Sequence, residues 1–241
     1  MPTVVVFDCE SDSKPTRSGP RGELEFRQVQ CTVACALVLD TSTLSIDQAR
    51  EITCWRDVAP TKGANPFKEL LDAFDSADVI VGYNSLDFDM PLLWKHYGTK
   101  AARRYLEHRI KSIDIFSRIR AVTSQWPKLD DLLAANKLGS KSGNGAHAIT
   151  LWEEQRRDEL QQYCMMDVRK TAELALLPRM RMGDAWVPNH VYGPGPAIQA
   201  IRVLEPIDTK RAASPVPTPS RERSESDSEF VVVVNHPAKL S

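Results

Sequence analysis

The sequence predicts an α/β protein with a mixed sheet flanked by helices, and three observations point there. Residues 4–7 are a β-branched and aromatic run, the composition of a buried strand, and they end in an acidic pair. Residues 29–39 and 51–56 read as two further strands joined by the turn-rich DTSTLSID, which makes the first three strands an antiparallel meander. After Pro66, helical spacing at 67–74 gives way to a fourth apolar strand at 78–82 and then to another helix at 90–97.

The intervening elements follow from local chemistry. Residues 11–27 are rich in Ser, Pro, Gly and Arg and read as an exposed loop. Residues 112–120 suit a short strand and a helix, and 128–137 an amphipathic helix. GSKSGNGAH at 139–147 reads as a flexible, glycine-rich basic loop, with helical stretches at 153–165 and 167–177 after it, either separate or continuous. The pattern weakens beyond Pro178, where 186–203 has enough apolar residues for a hairpin or short helix. The boundaries are therefore one domain over 1–203 and a Pro-, Ser-, Arg- and Glu-rich tail over 204–241 that reads as disordered.

Composition excludes several classes. A formal net charge of −1 over 241 residues argues against a broad basic surface for gripping duplex DNA, so any nucleic-acid contact is local. The five cysteines are odd in number and lack the paired spacing of zinc sites, which reads as reduced and buried. No basic-flanked apolar leader opens the sequence, and no apolar run approaches the ~20 residues a membrane helix needs. The expectation is an intracellular protein without a membrane partner, in the cytoplasm or nucleus, or in a host cell if viral.

Five residues carry the chemistry. Asp8 and Glu10 sit two apart on the first strand and so share a face. Asp89 follows the fourth strand at the start of a helix, at the sheet edge where α/β proteins build sites. Tyr163 and Asp167 are four apart and occupy one helix face. Crowding buried carboxylates is costly unless divalent cations neutralise them, and oxygen-only ligands suit magnesium or manganese.

VFDCE, YNSLDFDMPLL and YCMMDVRKT, in that order, resemble the three motifs of the DEDD superfamily of 3′→5′ exonucleases, whose fold is ribonuclease H-like. The second motif is similar to that of the proofreading domains of family-B DNA polymerases. The third carries tyrosine four positions before the last aspartate, where the histidine branch has its base five before, here Gln162; this is the DEDDy pattern. His147 lies too far upstream in that scheme to substitute.

The resemblance spans about residues 4–177 and implies a two-metal phosphodiesterase using two Mg2+ or Mn2+ ions, releasing nucleoside monophosphates from single-stranded or frayed DNA 3′ ends. It implies Asp8 as the ligand shared by both ions, Glu10 and Asp167 on the nucleophile-side ion, Asp89 on the second, and Tyr163 orienting the attacking water. Asn84 would position the terminal sugar and phosphate, and Phe88 is a core residue. Ser11, Lys128 and Lys141 are further candidate substrate contacts, while Asp12 adds negative charge beside the phosphate. Three alternatives stay open: an exoribonuclease, a catalytically silent nucleic-acid-binding or scaffold module, and a proofreading subunit of a larger replication complex.

The tail segment SESDSEFVVVV at 224–234 resembles a SUMO-interacting motif, with four valines disposed to extend and acidic serines beside them. It implies SUMO or another partner at the tail. The alternative is that the valines dock on the protein's own sheet.

Overall fold

The computed structural model describes residues 3–18, 23–59, 61, 63–98, 101–139, 145–183 and 185–188. The tail, the motif at 224–234, Lys141 and most of 186–203 lie outside the described residues.

A five-stranded sheet organises the chain. β1 (Thr3–Ser11), β4 (Cys31–Asp40) and β5 (Arg50–Trp55) form the antiparallel part, and β6 (Val79–Gly82) and β7 (Ser112–Asp114) add to the other side of β1 in parallel, in the order β5-β4-β1-β6-β7. The fold is thus α/β with a mixed sheet flanked by helices, as the sequence predicts.

Strand alternation sends successive β1 side chains to opposite cores. Val4 and Val6 join one core with α5 (Leu129–Ala135), α6 (Gly145–Glu153) and α7 (Arg157–Ala175). Val5, Phe7 and Cys9 join the other with α1 (Lys68–Ser76) and α2 (Asp89–Leu93). Asp8 and Glu10 continue the first set, so β1 delivers both acids to the face covered by α7. All five cysteines are buried and free, and Cys9 lies in the opposite core, away from that face.

Several elements depart from the sequence reading. Within 11–27, read from sequence as a loop, β2 (Thr16–Ser18) pairs antiparallel with β3 (Glu23–Glu25). α3 (Ala101–Ile110) was not anticipated; AARRYLEHRI buries only Tyr105 and His108 and has no continuous apolar stripe. α6 begins within the predicted glycine-rich loop, and a break at residues 154–156 separates it from α7, which runs through both stretches read as helical. From Arg157 the helix is continuous to Ala175. The hairpin β8 (Arg179–Met182) and β9 (Ala185–Pro188) closes the described chain. Among the described residues no helix is long and apolar enough to cross a membrane.

A buried polar relay ties α1 to α3. His108 Nε2 lies 2.8 Å from Asp75 Oδ1, and since a carboxylate only accepts, Nε2 carries the proton; Nδ1 then accepts from Tyr97 Oη at 3.0 Å. Burial pushes His108 below the usual histidine range, against the pull of Asp75, with Lys111 and Arg104 adding repulsion. A depressed folded value means stability that is complete above the unfolded histidine pKa and is lost as pH falls through the folded one. Urea unfolding should therefore show a loss of stability below about pH 6.5 that His108→Gln removes; equal pH dependence in the two proteins would exclude His108 as its source.

Candidate active site

The site forms because β1 outruns its parallel neighbour. β6 pairs with β1 only over Val4–Val79, Val5–Ile80 and Val6–Val81, whereas β4 accompanies β1 through Ser11. Beyond Val6 the β6-facing backbone of β1 needs another partner. Asp89, the first residue of α2, supplies it: its Oδ1 accepts from Cys9 N at 2.7 Å, in a buried bond between the two acids of β1.

Three elements therefore converge. Asp8 and Glu10 come from β1, Asp89 from the β6–α2 turn, and Tyr163, Cys164 and Asp167 from α7; all are buried except Asp8, which is half-buried. The ligand atoms of Asp8, Glu10 and Cys164 lie within 4.8 Å of one another. Cys164 Sγ donates to Asp8 O at 3.5 Å and lies 3.8 Å from Asp8 Oδ2. Burial, reinforced by Cys35, Asp8 and Glu10, raises its thiol well above the usual range, so Cys164 packs as a neutral thiol. The sequence reading treated it only as a buried cysteine, and its place after Tyr163 on α7 was the available signal.

Burial also pushes the Asp89 carboxyl up, to about 7, against the opposing bond from Cys9 N, with Asp114 and Asp167 adding smaller repulsions. Asp8 and Glu10 offer carboxylate oxygens that fit hard divalent cations such as Mg2+ or Mn2+, while the neutral Cys164 thiol beside them is a poor ligand for such ions. Among the described residues there is one compact group of metal-ligand type, Asp8, Glu10 and Cys164.

The second-motif loop is held by an acid that the motif reading did not include. Asp114, at the end of β7, accepts from Asn84 N and Ser117 N through Oδ1 at 3.0 and 3.1 Å, and from Leu86 N through Oδ2 at 3.0 Å. It caps α4 (Ile115–Thr123) and fixes the turn in which Asn84 takes a positive φ of 58°. Asx side chains at helix starts are the sequence signal for such a cap. Asp114→Asn would set an amide N–H against Leu86 N. The expected cost is about 1–3 kcal/mol in urea unfolding, with any site-dependent activity falling further because Asn84 and Asp89 move; unchanged stability would show that the loop holds itself.

Gly82 sets the same turn from below. A Cβ there would press into Ser85 Cβ and Oγ, and Ser85 is fully buried. Gly82→Ala should lower stability by about 1–3 kcal/mol, read by its denaturation midpoint, and a wild-type midpoint would mean Ser85 can shift.

The remaining candidates fall around this centre. Ser11 is buried and its Oγ donates to Ser13 O at 2.9 Å. Asp12 does not stand as a bare charge: Arg56 pairs with it at 2.5 Å, and Gln30 N donates to it at 3.0 Å. Phe88 packs edge-on against Phe26 at 5.6 Å beside the core. Lys128 is exposed at the start of α5, next to Pro127, whose carbonyl accepts from Tyr83 Oη at 2.8 Å. His147, set aside on sequence distance, is brought by α6 to a T-shaped contact with Tyr163, 6.0 Å between ring centroids. Together with Leu151, Glu159, Gln162 and Met166 these two rings line a cleft of ≈ 210 Å³.

The family B DNA polymerase from the hyperthermophilic archaeon Pyrobaculum calidifontis has a similar structure, with a TM-score of 0.50 and 19% identity over 73% of this chain and 24% of that one. An Exonuclease I from Methylocaldum szegediense matches at a TM-score of 0.43 and 16% identity, over 73% of this chain and 40% of that one. The chain thus spans about a quarter of that polymerase. No protein-family model matches the sequence, and no curated protein matches it either. The likeness is one of fold: the chain shares the α/β fold of part of a DNA polymerase, and its Asp8, Glu10 and Cys164 form a group that could hold a metal ion.

Proposed function

We propose that this protein is a metal-dependent 3′→5′ exonuclease of the DEDDy type. The reading is supported by one observation: Asp89 accepts from the backbone N–H between Asp8 and Glu10, while Cys164, the residue after Tyr163 on α7, donates to the carbonyl of Asp8. Asp8, Glu10, Asp89 and Asp167 would hold two divalent cations, magnesium or manganese. When bound, such ions lower the pKa of water and stabilise charge on a phosphodiester.

The chain's own groups supply the rest. Tyr163 Oη would orient the attacking water through a hydrogen bond; a phenol with a usual pKa near ~10 suits orientation better than proton abstraction. The turn at Asn84, fixed by Asp114, offers its amide to the terminal sugar and phosphate. Neutralisation of Asp12 by Arg56 removes the repulsion that a bare carboxylate beside Ser11 would bring to a phosphate. Lys128, exposed at the start of α5, would make a backbone contact.

The substrate we favour is single-stranded or frayed DNA. The second motif resembles family-B polymerases in sequence, and the fold is shared with such a polymerase. Matched labelled DNA and RNA oligonucleotides, single-stranded and recessed, incubated with Mg2+ or Mn2+ and with chelator, test this directly. Hydrolysis of DNA that is lost on chelation is expected; preferential loss of RNA would reassign the substrate, and binding without hydrolysis under every condition would make the chain a silent module.

A further inference from the structure

Two exposed tryptophans, each faced by an arginine, lie outside the metal cluster. Trp126 is 68% exposed and carries the Arg120 guanidinium 4.4 Å from its ring centroid. Trp186 is 50% exposed and carries that of Arg179 at 4.4 Å. Large aromatic rings left in water at two places on neighbouring elements need a reason, since burying them would be favourable.

The two rings belong to one surface. α4 packs against β9, which bears Trp186, and the turn at Gly183 faces Gln125, the residue before Trp126. The hairpin that carries Trp186 is pinned rather than loose: Asn136 accepts from Arg181 N at 2.7 Å and donates to Arg181 O at 2.9 Å. The surface is also basic. From residue 115 to 129 the sequence has Arg118, Arg120 and Lys128 and no acid, and β8 adds the exposed Arg179 and Arg181.

Its position links it to the site. Trp126 packs edge-on against Phe116 at 5.7 Å, and Phe116 against Tyr83 at 5.9 Å; Tyr83 precedes Asn84, and its hydroxyl bonds Pro127, the residue after Trp126. A strand whose 3′ end lay at the Asn84 turn would therefore have the Trp126 ring two ring contacts from the neighbouring Tyr83.

We propose that Trp126 and Trp186 with their arginines form a stacking platform for the single-stranded nucleic acid that leads away from the cleavage site. An indole face takes any base, and an adjacent guanidinium offers a fork to the phosphate, which gives sequence-tolerant, salt-sensitive grip. A protein partner would be served by the apolar faces without the arginines, so charge favours the nucleic acid. The inference rests on the nuclease reading for the direction of the strand.

The test is binding of a fluorescein-labelled oligothymidylate to the full chain in chelator, read by anisotropy over a salt series. Trp126→Ala and Trp186→Ala should each weaken binding about tenfold, from the ~1–3 kcal/mol of one base–aromatic stack at about 1.4 kcal/mol per tenfold. Trp126→Phe should retain most of the affinity and Trp126→Leu should not, with thermal unfolding confirming that both are folded. Arg179→Gln should reduce the slope of log affinity against log salt by about one. Wild-type affinity in both alanine variants, or in Trp126→Leu, overturns the platform and leaves the surface to a protein partner. Hydrolysis of a thymidine nitrophenyl phosphodiester by the wild type reads the metal cluster separately: weakened binding in the alanine variants without that hydrolysis upholds the platform and overturns the nuclease reading instead.

Discussion

Asp8→Ala is expected to abolish nuclease activity, by at least about 10³-fold, while the protein stays folded. Asp8 lies on the last stretch of β1, half-buried, with Glu10 and Cys164 offering ligand atoms within 4.8 Å. Removing one carboxylate from a cluster whose members repel need not cost stability, since the relief of repulsion offsets the loss of the side chain. The pair of measurements that matters is turnover of a labelled oligonucleotide and the urea midpoint. Wild-type turnover in Asp8→Ala would remove the metal assignment, and a collapsed midpoint would move Asp8 into the structural frame.

Tyr163→Phe should reduce turnover about 10²-fold, at the low end of what a positioned proton-handling group contributes, and leave affinity for the oligonucleotide close to wild type. The ring is buried on α7 against the core and against His147, so phenylalanine keeps its packing and removes only Oη. A loss in turnover without a loss in binding is the signature of a group that acts on the attacking water. Equal turnover would make Tyr163 a core residue.

Much of the fold is legible in the sequence because it follows from local signals. The β-branched run at 4–7, the two strands after it and the apolar strand at 78–82 are strongly patterned, and their pairing into a meander plus parallel strands follows from turn lengths and helical crossovers. Elements with weaker local signals were not. α3 leaves Leu106 and Ile110 exposed among its charges and is held by Tyr105 and His108 inside; α6 begins with glycine and lies on the far side of a glycine-rich stretch. Each owes its helix to tertiary packing more than to its own pattern.

The site was legible to the same extent and for a related reason. Residues that carry charge within a recognisable spacing, such as Asp8, Glu10, Asp89 and Asp167, announce themselves; the structure brings Asp8 and Glu10 into one group with Cys164 and bonds Asp89 to the backbone between them. What spacing does not reveal is who holds them in place. Asp114 is an ordinary acid in sequence and becomes the anchor of Asn84 and Leu86 only once β7 lies beside β6. Arg56 neutralises Asp12 across 44 residues, and His147 reaches Tyr163 only because α6 folds back on α7. These are long-range contacts, which no local pattern encodes.

The most direct test of the proposed chemistry is to follow a linear single-stranded DNA labelled at its 5′ end, alongside a closed circular single strand, with purified protein in Mg2+ or Mn2+. Stepwise shortening of the linear strand from its 3′ end, with release of nucleoside monophosphates, an intact circle and no reaction in chelator, is the expected result. Cutting of the circle, or no shortening of the linear strand with either metal, would contradict it.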